Sequence, residues 1–424
     1  MSESHLLDPV QILHGSNKPL TQGAVLISNG KIKAFGKQAR NQAKEQGLTA
    51  KSSPNQLLAP CLVDPHSVLE EPLNSRNETL ITLRNKAARA GYGHLALLPR
   101  SRSWRDRGDK LRGFDDPNSD VFVHLWGGFT KSGKGSELAP HAELLKNGAI
   151  GLAEDDEMLP VGLLKRALTL GEMKDFPVLL APRDIEIQDN GLVREGVETL
   201  RAGWHPDPLA SETLPLRQLL ELHQQHPAAS IRIMNISTAE GVSMIFNSKT
   251  KPMASVCWWH LINDSASLSD NDLGWRVVPS LGRPTDRIAL IKGLLKKTIT
   301  AVAVHGVPLD EEETKLPQDQ RLPGLSGYQL VLPSLWQELV VKSGWTIEQL
   351  WESISFGPSR MLNLDEEQLM IGSRRWLLFD PNAAWVQTLD NKQSPFCANQ
   401  PWQGKRILGK VVNCGLRNQE SQAD

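Results

Sequence analysis

Eight short, continuously apolar runs recur along the chain, at 57–65, 93–99, 121–127, 149–155, 177–182, 231–237, 252–259 and 299–305. A strand with one wet face alternates apolar and polar residues, whereas a strand buried on both faces of a parallel sheet does not, and these runs do not alternate. Between them lie stretches with helical spacing, at 78–90, 138–147, 161–171, 213–226, 238–247 and 284–297. The last opens with Pro284-Thr-Asp, the start chemistry of a helix. Eight strand-like runs alternating with helical stretches predict an α/β chain folded as a TIM-like (β/α)8 barrel.

The ends of the chain read differently. From Gly23 to Gly36, two strand-like pieces meet at Asn29-Gly30, the signature of a β-hairpin. After further helices near 333–343, 347–355 and 358–363, β-like pieces return at 374–380 and 405–414 and are expected to join that hairpin. The predicted organisation is a barrel over 57–372 and a small β-sandwich domain built from 1–56 and 373–415, with a disordered tail at 416–424. The polar, proline-containing stretch 183–212 has the character of a loop over a barrel mouth.

Composition narrows the function. With 47 basic and 48 acidic residues in 424, the chain has no electrostatic reason to seek nucleic acid or an anionic membrane. No apolar stretch approaches the ~18 residues of a membrane span, and the N-terminus lacks a signal-peptide pattern, so a cytoplasmic location is expected. Cys61, Cys257, Cys397 and Cys414 stand far apart without metal-binding spacing and read as reduced core residues. No phosphate-binding glycine loop occurs, and Ser237-Thr238 lacks the context of a nucleophile.

The first apolar run ends in a polar cluster, Leu57-Leu-Ala-Pro-Cys-Leu-Val-Asp-Pro-His66-Ser-Val-Leu-Glu-Glu-Pro72. It resembles the dihydroorotase signature Asp-Pro-His-x-His-Leu-Arg-Glu-Pro, whose histidines bind zinc and whose arginine binds the substrate carboxylate. His66 keeps the first histidine, Val68 takes the place of the second, and Glu70 takes that of the arginine. The resemblance continues over roughly 20–415. Arg100 follows Ala90-Gly-Tyr-Gly-His-Leu-Ala-Leu-Leu-Pro99, where the family carries a substrate-binding asparagine. Glu154 and Asp155, in the acidic run 154–156, stand where the family places a metal-bridging group. Ala181 and Asn235 replace the histidines of strands five and six, and strand eight reads Val304-His305-Gly306, with His305 where the family has its general base. Trp258-Trp259 and His260 fall at strand seven, where one tryptophan is expected to face inward and the other outward.

Hydrolysing a cyclic amide near neutral pH requires a metal-activated water and a base, and zinc requires at least three converging protein ligands at about 2.0–2.2 Å. The substitutions fall on those ligands. The resemblance therefore implies a dihydroorotase-like protein of pyrimidine biosynthesis that lacks catalysis and needs no cofactor, acting in an oligomer as a structural or regulatory partner of aspartate transcarbamoylase. The alternative is an active hydrolase with a reduced one-zinc site built from His66, Glu154 or Asp155, and His305. A third reading keeps the pocket as a binding site without turnover. Glu70 and Arg100, with charges inverted or added relative to the family, are expected to pair across the mouth.

Overall fold

The protein is described by a computed structural model covering residues 4–268, 275–316, 320–388 and 395–416; the expected tail Arg417–Asp424 lies outside the described residues. The chain begins with β1 (Ser4–Ile12), β2 (Thr21–Ser28), β3 (Lys31–Phe35) and β4 (Ala50–Pro60). The barrel follows as β5 (Leu62–Ser67), β6 (Tyr92–Leu97), β7 (Phe122–Gly128), β8 (Gly151–Ala153) and β9 (Pro177–Leu180). A minor pair, β10 (Val193–Arg194) and β11 (Pro206–Asp207), precedes the last barrel strands β12 (Ser230–Ile233), β13 (Met253–Cys257) and β14 (Ala301–Ala303). The chain closes with β15 (Trp376–Val386) and β16 (Arg406–Cys414).

The barrel strands lie in the order β5-β6-β7-β8-β9-β12-β13-β14, each parallel to its neighbours. Their residues are buried toward the helices (Leu62, Leu95, Leu125, Leu152, Ile231) and toward the barrel axis (Val63, Ala96, Trp126, Ala153, Leu179, Ala301). Burial on both faces is the physical cause of the unbroken apolar runs. Trp126 fills the interior and donates its Nε1–H to Pro65 O at 3.0 Å. The approach between β8 and β9 is close enough to demand glycine, since a Cβ at Gly151 would meet Pro177 O at 2.2 Å.

Between β14 and β5 the barrel closes with few bonds. His305 N donates to His66 O at 3.1 Å and Val68 N to Gly306 O at 2.8 Å. Asp64 Oδ1 accepts from Val304 N at 2.9 Å.

The terminal segments form a separate sheet, β16-β15-β4-β1-β2-β3. Asn29 and Gly30 turn the β2–β3 hairpin with φ of 52° and 71°. The helix Gly36–Glu45 covers one face, packing Ala39 and Ala43 on Leu6, Ala24, Leu26 and Ala34. The apolar run 57–65 serves both units: Leu57–Pro60 ends β4, and β5 begins at Leu62. Leu416, assigned from sequence to the tail, is buried.

The segment 183–212 carries the short helices Ile185–Gln188 and Val197–Ala202 besides β10 and β11. It is tied down by Arg194 N to Leu281 O at 2.9 Å and by Gln188 Nε2 to Ser280 Oγ at 3.3 Å. Among the described residues, no helix is long and apolar enough to cross a membrane.

Candidate functional site

The barrel mouth brings His66 and His305 together. His66 sits in β5 and His305 two residues beyond β14, at a left-handed φ of 44°, a backbone state that a non-glycine residue holds only when its surroundings fix it. Their Nδ1 atoms are 3.0 Å apart. The other nitrogen of His66 lies 2.8 Å from Ser255 Oγ, and that of His305 lies 3.1 Å from Asp156 Oδ1. Both rings are buried. Burial, reinforced by neighbouring His305, holds the His66 imidazole well below the usual histidine range.

The other two candidate ligands have different partners. Glu154 accepts from Thr130 N at 3.0 Å and from the Thr130 hydroxyl, and burial pushes its carboxyl up to about 7. Asp155 pairs with Arg100 at 3.4 Å, while burial and neighbouring Asp156 raise its carboxyl. Burial works to raise Asp156 as well, but His305, Arg183 and Arg100 outweigh it and hold this carboxylate ionised. Arg100 also pairs with Glu70, Nε to Oε1 at 3.1 Å, so the two substituted family positions do meet across the mouth. Together with Trp104, Lys134, Arg183 and Trp259, the acidic run and Arg100 line a cleft of about 440 Å³, which is the size of a small-molecule site.

Strand seven departs from the sequence expectation. β13 ends at Cys257, and Trp258 and Trp259 lead into the short helix Trp259–Ile262. The in-and-out alternation of a strand therefore does not apply, and both indoles are buried. His260 bonds Ser280 O at 3.1 Å and is pushed down to about 4 by burial.

Three groups lay beyond sequence reasoning. Ser255 offered no signal, being one polar residue in an apolar run. Asp64 stood within the quoted motif without a role; here it accepts from Ser67 Oγ at 2.5 Å and from the Tyr328 hydroxyl, and burial pushes it up to about 6. Arg194, in the segment taken for a loop, is fully buried and donates to Ser211 Oγ at 2.8 Å and Ser237 Oγ at 2.9 Å, with Asp207 at 3.0 Å and Glu212 at 3.8 Å. Arg194 and Glu212 border a very small cavity also lined by Ala181 and Asn235, the positions that carry histidine in the family signature. Val68, the third such position, packs into the barrel interior.

This arrangement does not fit zinc. Among the described residues, no group of three or more His, Cys, Asp or Glu side chains is placed to hold a metal ion. The nitrogens of His66 and His305 face each other, Ser255 and Asp156 rather than a common point.

A probable dihydroorotase-like protein of Synechocystis sp. is 33% identical over 393 residues, spanning 84% of this chain and 88% of its own length. The chain belongs to the dihydroorotase family. A dihydroorotase of Thermoanaerobacter sp. is 28% identical over 400 residues, covering 92% of this chain and 91% of that one. No family model matches the sequence. Among solved structures, the L-hydantoinase of Arthrobacter aurescens superposes with a TM-score of 0.76 at 15% identity over 99% of this chain and 96% of the other, a likeness of fold. The D-hydantoinase of Thermus sp. gives 0.74 over 96% and 92%. This member of the dihydroorotase family thus shares its fold, barrel and terminal sheet alike, with the hydantoinases.

Proposed function

We propose that this family member no longer hydrolyses or closes cyclic amides and serves pyrimidine biosynthesis as a structural and regulatory partner of aspartate transcarbamoylase. The observation that carries the loss of chemistry is the 3.0 Å contact between His66 Nδ1 and His305 Nδ1. Two imidazoles bonded to each other do not present lone pairs to a shared metal, and without metal the attacking water keeps its high pKa. At the strand-eight position, the family's base is replaced by an imidazole bonded to His66 on one side and 3.1 Å from the Asp156 carboxylate on the other. Retention of the whole fold supports a role played by the barrel's surface, and the family resemblance supports the choice of partner.

Two measurements test the proposal. Dihydroorotate turnover, assayed with and without added zinc, is expected to be absent. Mixing with aspartate transcarbamoylase from the same source is expected to give one larger species by size-exclusion chromatography. Two unshifted peaks at micromolar concentration would count against the partnership.

One observation favours a residual hydrolase. Glu154 borders the cleft with its carboxyl pushed up to about 7, the range suited to proton transfer at neutral pH. On that reading, turnover is measurable and is lost in Glu154→Gln.

A further inference from the structure

Four side chains form a continuous line through the mouth. Ser255 Oγ lies 2.8 Å from His66 Nε2, His66 Nδ1 lies 3.0 Å from His305 Nδ1, and His305 Nε2 lies 3.1 Å from Asp156 Oδ1. They belong to β13, β5, the turn just beyond β14 and the turn after β8. In the ring of strands, β8 stands opposite β14, so the line crosses the barrel. It also reinforces the β14–β5 seam, where backbone bonds are few.

The contacts dictate where the protons sit. An Nδ1–Nδ1 contact of 3.0 Å holds one proton: with two, the N–H groups collide, and with none, lone pair faces lone pair. Ser255 Oγ accepts from Asn235 N at 3.0 Å and can still donate to or accept from His66 Nε2, so the direction is set at the other end, where a neutral His305 turns the N–H on its Nε2 toward the ionised Asp156 carboxylate 3.1 Å away. Nδ1 of His305 is then an acceptor, so the shared proton belongs to His66 Nδ1, and Nε2 of a neutral His66 accepts from the Ser255 hydroxyl. With two neutral imidazoles, both Nδ1 atoms and His66 Nε2 are hydrogen-bonded and His305 Nε2 carries its proton on the side of Asp156, so none has a lone pair left for a metal.

We propose that this Ser255–His66–His305–Asp156 chain, protonated on Nδ1 of His66 and on Nε2 of His305, braces the barrel mouth in place of a metal and excludes zinc. It rests on the reading of the site as non-hydrolytic and adds what holds the emptied site together. A bridging metal ties the ends of several strands through shared ligands, and here two hydrogen bonds and an imidazole–carboxylate contact tie four of them.

The test is nitrogen NMR of the full chain labelled with ¹⁵N-histidine, first in chelator and then with excess zinc, using His66→Gln and His305→Asn to assign the two rings. Asparagine suits the left-handed backbone at 305. The brace predicts the Nδ1–H tautomer for His66 and the Nε2–H tautomer for His305, with both sets of signals unmoved by zinc. The wild-type spectrum decides even if a variant folds poorly, since a zinc-induced shift is read on wild-type signals alone. Either ring in the opposite tautomer, or either ring shifted by zinc, overturns the brace. A dihydroorotate assay on the same samples separates the two claims. Zinc binding without turnover overturns the brace and leaves the proposed function standing, whereas turnover with unmoved imidazoles does the reverse.

Discussion

The hydroxyl of Tyr328 donates to Asp64 Oδ2 at 2.7 Å and lies 3.0 Å from Ser67 Oγ, joining the helix after the last barrel strand to the end of the first. Asp64 in turn accepts from Val304 N, so one buried carboxyl closes the barrel seam from both sides. Tyr328→Phe keeps the ring and removes only the hydroxyl, leaving Asp64 with one donor fewer in a dry environment. The expected loss is about 1–3 kcal/mol in urea unfolding. A change within experimental error would mean that water takes the vacated place.

Arg194 is the second buried anchor. It is paired with Asp207 and set among Ser211, Ser237 and Glu212, and it fixes the segment 183–212 against the ends of the strands. Arg194→Met preserves much of the volume but leaves buried acids without their counter-ion, a change that costs about 3–5 kcal/mol when one partner of a buried pair is removed. Arg194→Lys is expected to recover only part of that loss, because an ammonium lacks the planar fork that reaches both serines. Guanidinium unfolding of the two variants measures the difference, and equal stability of Arg194→Lys and the parent would refute the geometric reading.

These anchors mark the boundary of what the sequence made legible. The barrel was readable because most of its strands are buried on both faces, and such a strand advertises itself as an unbroken apolar run. Its ends were less so: the run at 299–305 yields a strand only over Ala301–Ala303, because His305 leaves the ladder for a left-handed backbone that no periodicity records. Cys61 divides one apolar run between two sheets for the same reason, as hydrophobicity does not say which sheet a residue joins. In the site, the resemblance located His66, His305, Glu70 and Arg100. It could not supply their partners, since Asp64 and Tyr328, or His66 and Ser255, meet only after the barrel closes. Arg194 looked like one more charged residue in a polar loop.

Glu154 gives the chain a pH signature. Burial raises its carboxyl to about 7 in the folded state, above its ordinary value of 4.5. A carboxyl raised on folding favours the folded state while protonated, so its contribution is complete below about pH 4.5 and is lost as pH climbs through about 7. Glu154→Gln imitates the protonated form at every pH. The variant is expected to gain on the parent between pH 4.5 and pH 8, by an amount on the order of 2–3 kcal/mol. Unfolding curves at several pH values across this window test it, and a parallel pH dependence for the two proteins would show that Glu154 is solvated.

Restoring the family's carboxylate on strand eight should not restore its chemistry. His305→Asp suits the left-handed backbone, since aspartate tolerates that conformation. The shorter side chain withdraws the acceptor from His66 Nδ1, and a second carboxylate then stands near Asp156, whose ionised state depends on His305. One buried donor is left unpaired and an imidazole–carboxylate contact becomes a like-charge contact, so the variant is expected to lose about 2 kcal/mol or more. The remaining ligand positions are still Val68, Ala181 and Asn235, and His66 keeps its Nε2 on Ser255, so dihydroorotate turnover with added zinc is expected to stay at background. Thermal unfolding with and without zinc, read beside that assay, decides the matter: a zinc-dependent rise in melting temperature together with turnover would mean that a single substitution separates this mouth from a working site.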